Sequence, residues 1–214
     1  MDIWIASANQ KVLTAAHAYP LSGIITNPTV IAQEQQPWEE TFSTFAAYPN
    51  DRVHLQVVTT DEKKIYQEVA WFEQYVDKSR LIVKIPMSLG GLKAIPRLKA
   101  EGFAINVTAV CNMQQAVLAL EAGIQFVSIY VARLNDHGRD GLGFLKKVLQ
   151  YIKDNGLETQ VMAASVRNSD QLNAVIDLGV DAIAMPYDLL TGMMADQITT
   201  DSIEKFATDW AKVN

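Results

Sequence analysis

Eight short apolar runs recur along the chain, separated by stretches whose apolar positions fall at helical spacing. The runs are DIWIAS (2–7), SGIITN (22–27), VHLQVV (53–58), RLIVKIP (80–86), FAINVTAV (103–110), FVSIYVA (126–132), TQVMAAS (159–165) and DAIAMP (181–186). Most are nearly continuous in apolar residues, as expected of strands covered on both faces of a parallel sheet. Between them, TTDEKKIYQEVAWFEQYVD places Ile65, Val69, Phe72 and Val76 on one helical face behind a Thr-Asp start. TNPTVIAQE sets Pro28 in a first helical turn directly after Asn27, a good N-cap. CNMQQAVLALEAG and RNSDQLNAVIDLG each begin near Asn or Ser and end on a glycine suited to a C-terminal cap. GGLKAIPRLKAEG also reads as helix, with Pro96 expected to kink or shorten it.

About eight β-then-α units are the number that closes a (β/α)8, or TIM, barrel. An open doubly wound sheet accepts the same local pattern. No Pro/Gly/Ser-rich linker divides the 214 residues, so a single domain over 1–214 is expected. The last stretch, TTDSIEKFATDWAKVN, puts Ile203, Phe206, Trp210 and Val213 on one face of a C-terminal helix over 199–213. That face either covers its own barrel or docks on a neighbouring subunit.

Composition narrows the partners. A net charge of −6 argues against nucleic acid and an acidic membrane surface, while leaving room for a cationic pocket that takes a small anion. A single cysteine, Cys111, suits a reducing compartment. No run approaches the ~20 apolar residues of a membrane span, and the start MDIWIASANQ lacks a secretory pattern. A cytoplasmic protein is the expectation.

Chemistry in such a barrel belongs where strands end. Polar residues collect there: Ser7 beside Ala6, Thr26 and Asn27, Gln56, Lys84, Asn106 and Thr108, Tyr130 with Arg133 beyond, and Ser165 with Arg167. A lysine buried near other cations keeps a neutral amine able to attack a carbonyl, so Lys84 suits Schiff-base catalysis. Tyr130 is placed to move a proton at the cleaved carbon, and Gln56, Thr108 and Asn106 to hold the hydrolytic water. Arg133 and Arg167 would grip an anionic tail such as phosphate. The structural alternatives are a lysine in a salt bridge, a tyrosine in the core, and arginines paired with Asp136, Asp140 or Asp170. His17, His54 and His137 show no metal-ligand spacing, so neither a metal nor a cofactor is expected; they read as surface or satisfied core positions. The glycines of SLGGLKA and GRDGLGF match no nucleotide-binding fingerprint, and Cys111 reads as a small buried apolar residue.

Taken together, GIITNPTVIA, LIVKIPMSLGGLKAI, INVTAV, YVARLNDHG and QVMAAS resemble the small transaldolase family, nearest its fructose-6-phosphate-aldolase branch, over essentially the whole chain. The resemblance implies a metal-free, cofactor-free class I enzyme on a TIM barrel with Lys84 as Schiff-base lysine. It implies Asn27 and Asn106 as active-site amides, and Thr108 as holder of the catalytic water. Gln56 and Tyr130 correspond to residues typical of the aldolase branch, while Ser128 stands where transaldolases place a donor-binding serine. Arg133, Ser165 and Arg167 correspond to the phosphate-binding group. A homo-oligomer, a decamer of two pentameric rings with the C-terminal helix on a neighbour, is also implied.

One departure is plain. The first strand of the family ends in an aspartate, and here Ala6 stands in that place. Three functions remain open at this point: an aldolase acting on a dihydroxyacetone-like donor and an aldehyde such as glyceraldehyde 3-phosphate, a transaldolase passing that unit between sugar phosphates or related anionic ketoses, and a non-catalytic sugar-phosphate-binding barrel.

Overall fold

The computed structural model describes residues 1–49 and 51–213. Its eight strands are β1 (Asp2–Ala6), β2 (Gly23–Ile25), β3 (Arg52–Gln56), β4 (Leu81–Pro86), β5 (Ala104–Val110), β6 (Phe126–Tyr130), β7 (Gln160–Ala164) and β8 (Ala182–Met185). Each pairs in parallel with its sequence neighbour, and β1 also pairs with β8, so the sheet closes. The chain is a (β/α)8 barrel, and the open-sheet alternative falls. Seven strands lie within their apolar runs, trimmed at the ends where the chain turns out of the sheet, and β3 begins one residue before its run, at Arg52.

Two apolar layers explain the continuous runs. Outward residues such as Val53, Leu55 and Val57 pack beneath the helices, while inward ones fill the barrel: Trp4, Ile25, Ile82, Phe126, Met162 and Ala182. At the N-terminal end of the barrel, the Arg52 guanidinium lies over the rings of Trp4 and Phe126, and its Nη2 donates to Gln125 Oε1 at 3.2 Å. That end is a packed plug, leaving the other end for the strand-to-helix loops.

Those loops start their helices with side-chain caps. Asn27, Asp61, Asn112 and Asn168 each accept a backbone N–H from the first turn of the helix that follows. Gly123 and Gly179 turn the chain out of two helices with φ of 64° and 70°, as the sequence suggested. The helix Leu89–Ala100 runs unbroken through Pro96. Burial of Ala94, Ile95 and Leu98 against the barrel offsets the backbone hydrogen bond that proline cannot donate.

Short helices absent from the sequence reading appear after β2 (Trp38–Ser43) and after β6 (Val131–Asp136). Among the described residues no helix is long and apolar enough to cross a membrane. The helix Gln197–Trp210 carries no buried residue, and Phe206 and Trp210 are 68% and 67% exposed. Its apolar face therefore does not cover its own barrel.

Candidate active site

At the C-terminal ends of the strands lies a cavity of about 410 Å3 lined by Ala6, Thr26, Asn27, Lys84, Tyr130, Arg133, Ser165 and Arg167, among others. Its floor is set by register. Lys84 on β4 lies beside Gln56 on β3 and Asn106 on β5. The Lys84 side chain is 2% exposed, and Nζ donates to the backbone oxygen of Thr26 at 3.0 Å. None of the ion pairs among the described residues includes it. Burial first, and then the positive charge of Arg133, bring its pKa down from 10.5 to about 7. The salt-bridged alternative for this lysine is thus not what the chain adopts.

The Arg133 guanidinium lies 4.5 Å from the centre of the Tyr130 ring, a cation–π contact rather than a pairing with Asp136 or Asp140. Tyr130 is buried, and its phenolic oxygen accepts the Thr108 hydroxyl at 2.8 Å. This hydroxyl pair bridges β5 and β6. Between Val107 and Val110 the pairing of these strands shifts register, and Ala109 takes a left-handed φ of 58°. Ser165, directly after β7 and in the cavity wall, has φ of 57°. Left-handed backbone costs a non-glycine residue about 1–2 kcal/mol, and such strain gathers at functional sites.

Arg167 is held differently from Arg133. Its two terminal nitrogens donate to both oxygens of Asp136, at 3.1 and 2.7 Å, in an exposed fork. This is an acid across the loop after β6 rather than the nearby Asp170. Such a pair contributes little in water, so an incoming anion can displace it.

Two of the expected substrate contacts do not line this cavity. Asn106 and Ser128 are fully buried, outside the lining of the Lys84 cavity, with the Ser128 hydroxyl donating to Asn106 Oδ1 at 2.9 Å. Both are packed inside the barrel, with Asn106 in register beside Lys84. Gln56 opens on an adjoining cavity of about 580 Å3, walled by Trp38, Phe42, Trp71 and Phe72 and sharing Thr26 and Asn27 with the first. Its Oε1 is buried without a hydrogen-bond partner among the described residues. Thr108 reaches the site through Tyr130. Asn27 commits its Oδ1 to the Val30 N–H at 3.0 Å and leaves its amide nitrogen for the cavity it lines. Cys111 is half-buried, with Sγ donating to the Ala109 oxygen at 3.4 Å.

His54 is the residue that the sequence did not single out. It is fully buried directly beneath the site and bonded to Asn106, with Nδ1 3.0 Å from Asn106 Nδ2. Its signal was its place in an apolar run two residues before Gln56, which puts both side chains inside the barrel.

The arrangement presents a neutral-capable amine, a phenol and two guanidinium groups to one enclosed volume. That set can attack a carbonyl, move a proton beside it and hold an anion.

Relatives point the same way. The family described as Transaldolase/Fructose-6-phosphate aldolase matches residues 3–214. A "Probable transaldolase" of Desulfitobacterium hafniense is 34% identical over 214 residues, covering all of both chains. One from Kosmotoga olearia is 32% identical across 98% of this chain and 96% of its own, and one from Methanococcus maripaludis is 32% identical across 98% and 97%. A solved mandelate oxidase bearing an FMN adduct has a TM-score of 0.59 at 13% identity, covering 87% of this chain and 64% of that one. At that identity the likeness speaks for the barrel alone. The chain is a member of the transaldolase/fructose-6-phosphate aldolase family of enzymes.

Proposed function

We propose that the protein is a class I, Schiff-base aldolase of the fructose-6-phosphate aldolase type. The observation that carries this reading is Lys84, a buried amine with a pKa of about 7 in a cavity that also holds Tyr130 and Arg133. The Lys84 amine attacks the ketone carbon of the substrate, and loss of water gives an iminium. As the neighbouring carbon–carbon bond breaks, its electron pair moves onto the iminium to give an enamine. The aldehyde fragment leaves, with Tyr130 carrying the proton from its hydroxyl. Protonation of the enamine and hydrolysis of the imine release a dihydroxyacetone-like product and restore the amine. In reverse, the same steps join donor and aldehyde. Arg133, Ser165 and Arg167 hold the anionic tail of an acceptor such as glyceraldehyde 3-phosphate. Thr26 and Asn27 contact the donor beside Ala6, and Gln56 and Thr108 hold the water.

The second reading is a transaldolase, favoured by the printed names of the relatives. Ser128 and Arg167 lean that way and Gln56 and Tyr130 against it, and Ser128 spends its hydroxyl on Asn106. A panel of ketose phosphates and related anionic ketoses, assayed with and without glyceraldehyde 3-phosphate, separates the two. Free dihydroxyacetone released without an acceptor supports the aldolase. Turnover only with an acceptor supports the transaldolase. Binding without turnover in either arm leaves the non-catalytic barrel.

The exposed face of Ile203, Phe206 and Trp210 supports a homo-oligomer in which this helix packs on a neighbouring subunit, with a decamer of two pentameric rings as the expected assembly. Light scattering measures it. A single cysteine and an acidic surface fit a cytoplasmic enzyme of small anionic sugars, with no nucleic-acid or membrane partner.

A further inference from the structure

His54 occupies a place that a hydrophobic residue would fill more cheaply. It lies inside the barrel, fully buried, with the Trp4 and Phe126 rings edge-on at centroid distances of 4.4 and 5.2 Å. Among the described residues its Nε2 has no hydrogen-bond partner, so the core carries a polar atom left unsatisfied. The other ring nitrogen is engaged. Asn106 Nδ2 donates to His54 Nδ1 at 3.0 Å, while Asn106 Oδ1 accepts from Ser128 at 2.9 Å.

An amide is nearly symmetric in shape, and packing alone barely distinguishes its two ends. Here the two partners do. Ser128 is a hydroxyl able to donate or accept, so it tolerates either orientation of the amide. A neutral imidazole whose Nδ1 is an acceptor tolerates only one. Burial, Lys84 and Arg52 all disfavour the imidazolium, and of the two neutral tautomers the one protonated on Nε2 matches Asn106 Nδ2 at Nδ1. Asn106 in turn stands beside Lys84 on the adjoining strand, in register with it.

We propose that His54 is a positioning residue that fixes the orientation of the Asn106 amide, and through it the environment of the donor joined to Lys84. This role rests on the Schiff-base reading above. His54 touches no substrate. It determines which end of the neighbouring amide faces the Lys84 strand, and the unsatisfied Nε2 is tolerated for that purpose.

Two measurements on the full-length protein test this. In the wild type, 15N NMR of the imidazole at neutral pH is expected to show the proton on Nε2 and none on Nδ1. A proton on Nδ1, alone or in an imidazolium, overturns the proposal. The second compares His54→Phe, which fills the same space between two rings, with His54→Gln, whose carbonyl oxygen can accept from Asn106. His54→Phe is expected to lower kcat for donor turnover by roughly tenfold, with the acceptor KM unchanged, and His54→Gln to recover part of it. Kinetics of His54→Phe within twofold of wild type overturn the proposal. So does an equal loss in both variants, with a rise in acceptor KM, which marks a purely structural role. Borohydride trapping of the wild type with dihydroxyacetone is run alongside. No adduct on Lys84 sinks the Schiff-base reading and this role with it, whereas an adduct together with an unimpaired His54→Phe sinks this role alone.

Discussion

The hydroxyl of Thr108 donates to the phenolic oxygen of Tyr130 at 2.8 Å, joining β5 to β6 beneath the cavity wall. Because Thr108 is the donor, the phenol keeps its own O–H free, and Tyr130 lines the cavity that holds Lys84. Tyr130→Phe is expected to lower kcat by about 100-fold while leaving ketose trapping on Lys84 intact, because imine formation precedes the proton transfer. Thr108→Val should lower kcat less, roughly tenfold, since it removes the support and not the phenol. Steady-state kinetics paired with intact-mass trapping read both.

A charge-bearing lysine at 2% exposure has a stability cost that depends on pH. In the folded protein its pKa is about 7, against ~10.4 in the unfolded chain, so between those values the unfolded state binds more protons. Stability therefore rises with pH across that window, and the full penalty applies below pH 7. Lys84→Met, which keeps the volume and removes the charge, is expected to be more stable by a few kcal/mol at pH 6 and by less at pH 9. Denaturant melts at the two pH values check the sign. An equal gain at both pH values contradicts the perturbed lysine.

The barrel was legible because each strand is apolar on both faces, and this makes the runs continuous and easy to count. Lys84 stood out for the same reason, a charge inside LIVKIP. Helices Trp38–Ser43 and Val131–Asp136 were not read, since six residues are too few to show a helical period. The gathering of Lys84, Tyr130, Arg133 and Arg167 followed from strand ends alone. The partners of Arg167 and Asn106 did not, because Asp136 and His54 meet them across loops and strands far apart in sequence. Nothing local in VHLQVV distinguishes His54 from a filler of the core.

The acid limb of the rate profile should lie near pH 7, where Lys84 loses its proton. Burial is the larger cause and Arg133 the second, so Arg133→Gln should move that limb upward without abolishing it. Ala6→Asp places a carboxylate on the wall of the same cavity and should move it the same way, because an opposite charge favours the ammonium. The pH dependence of trapping with the uncharged donor dihydroxyacetone isolates this effect from anion binding. A limb that stays put in both variants counts against the electrostatic account.

Asp136 competes with any substrate anion for Arg167, and the forked pair holds the carboxyl of Asp136 below its usual range. Asp136→Asn should lower KM for a phosphorylated acceptor by roughly two- to fivefold, leaving KM for an unphosphorylated aldehyde unchanged. Equal effects on both acceptors would mean that Arg167 does not meet the anion.

On the proposed mechanism Lys84 forms the imine. Incubation with dihydroxyacetone or a ketose phosphate followed by borohydride reduction, digestion and mass spectrometry tests it most directly. A reduced adduct is expected on the peptide carrying Lys84, absent in Lys84→Met. An adduct on another lysine, or none with any ketose in the panel, contradicts it.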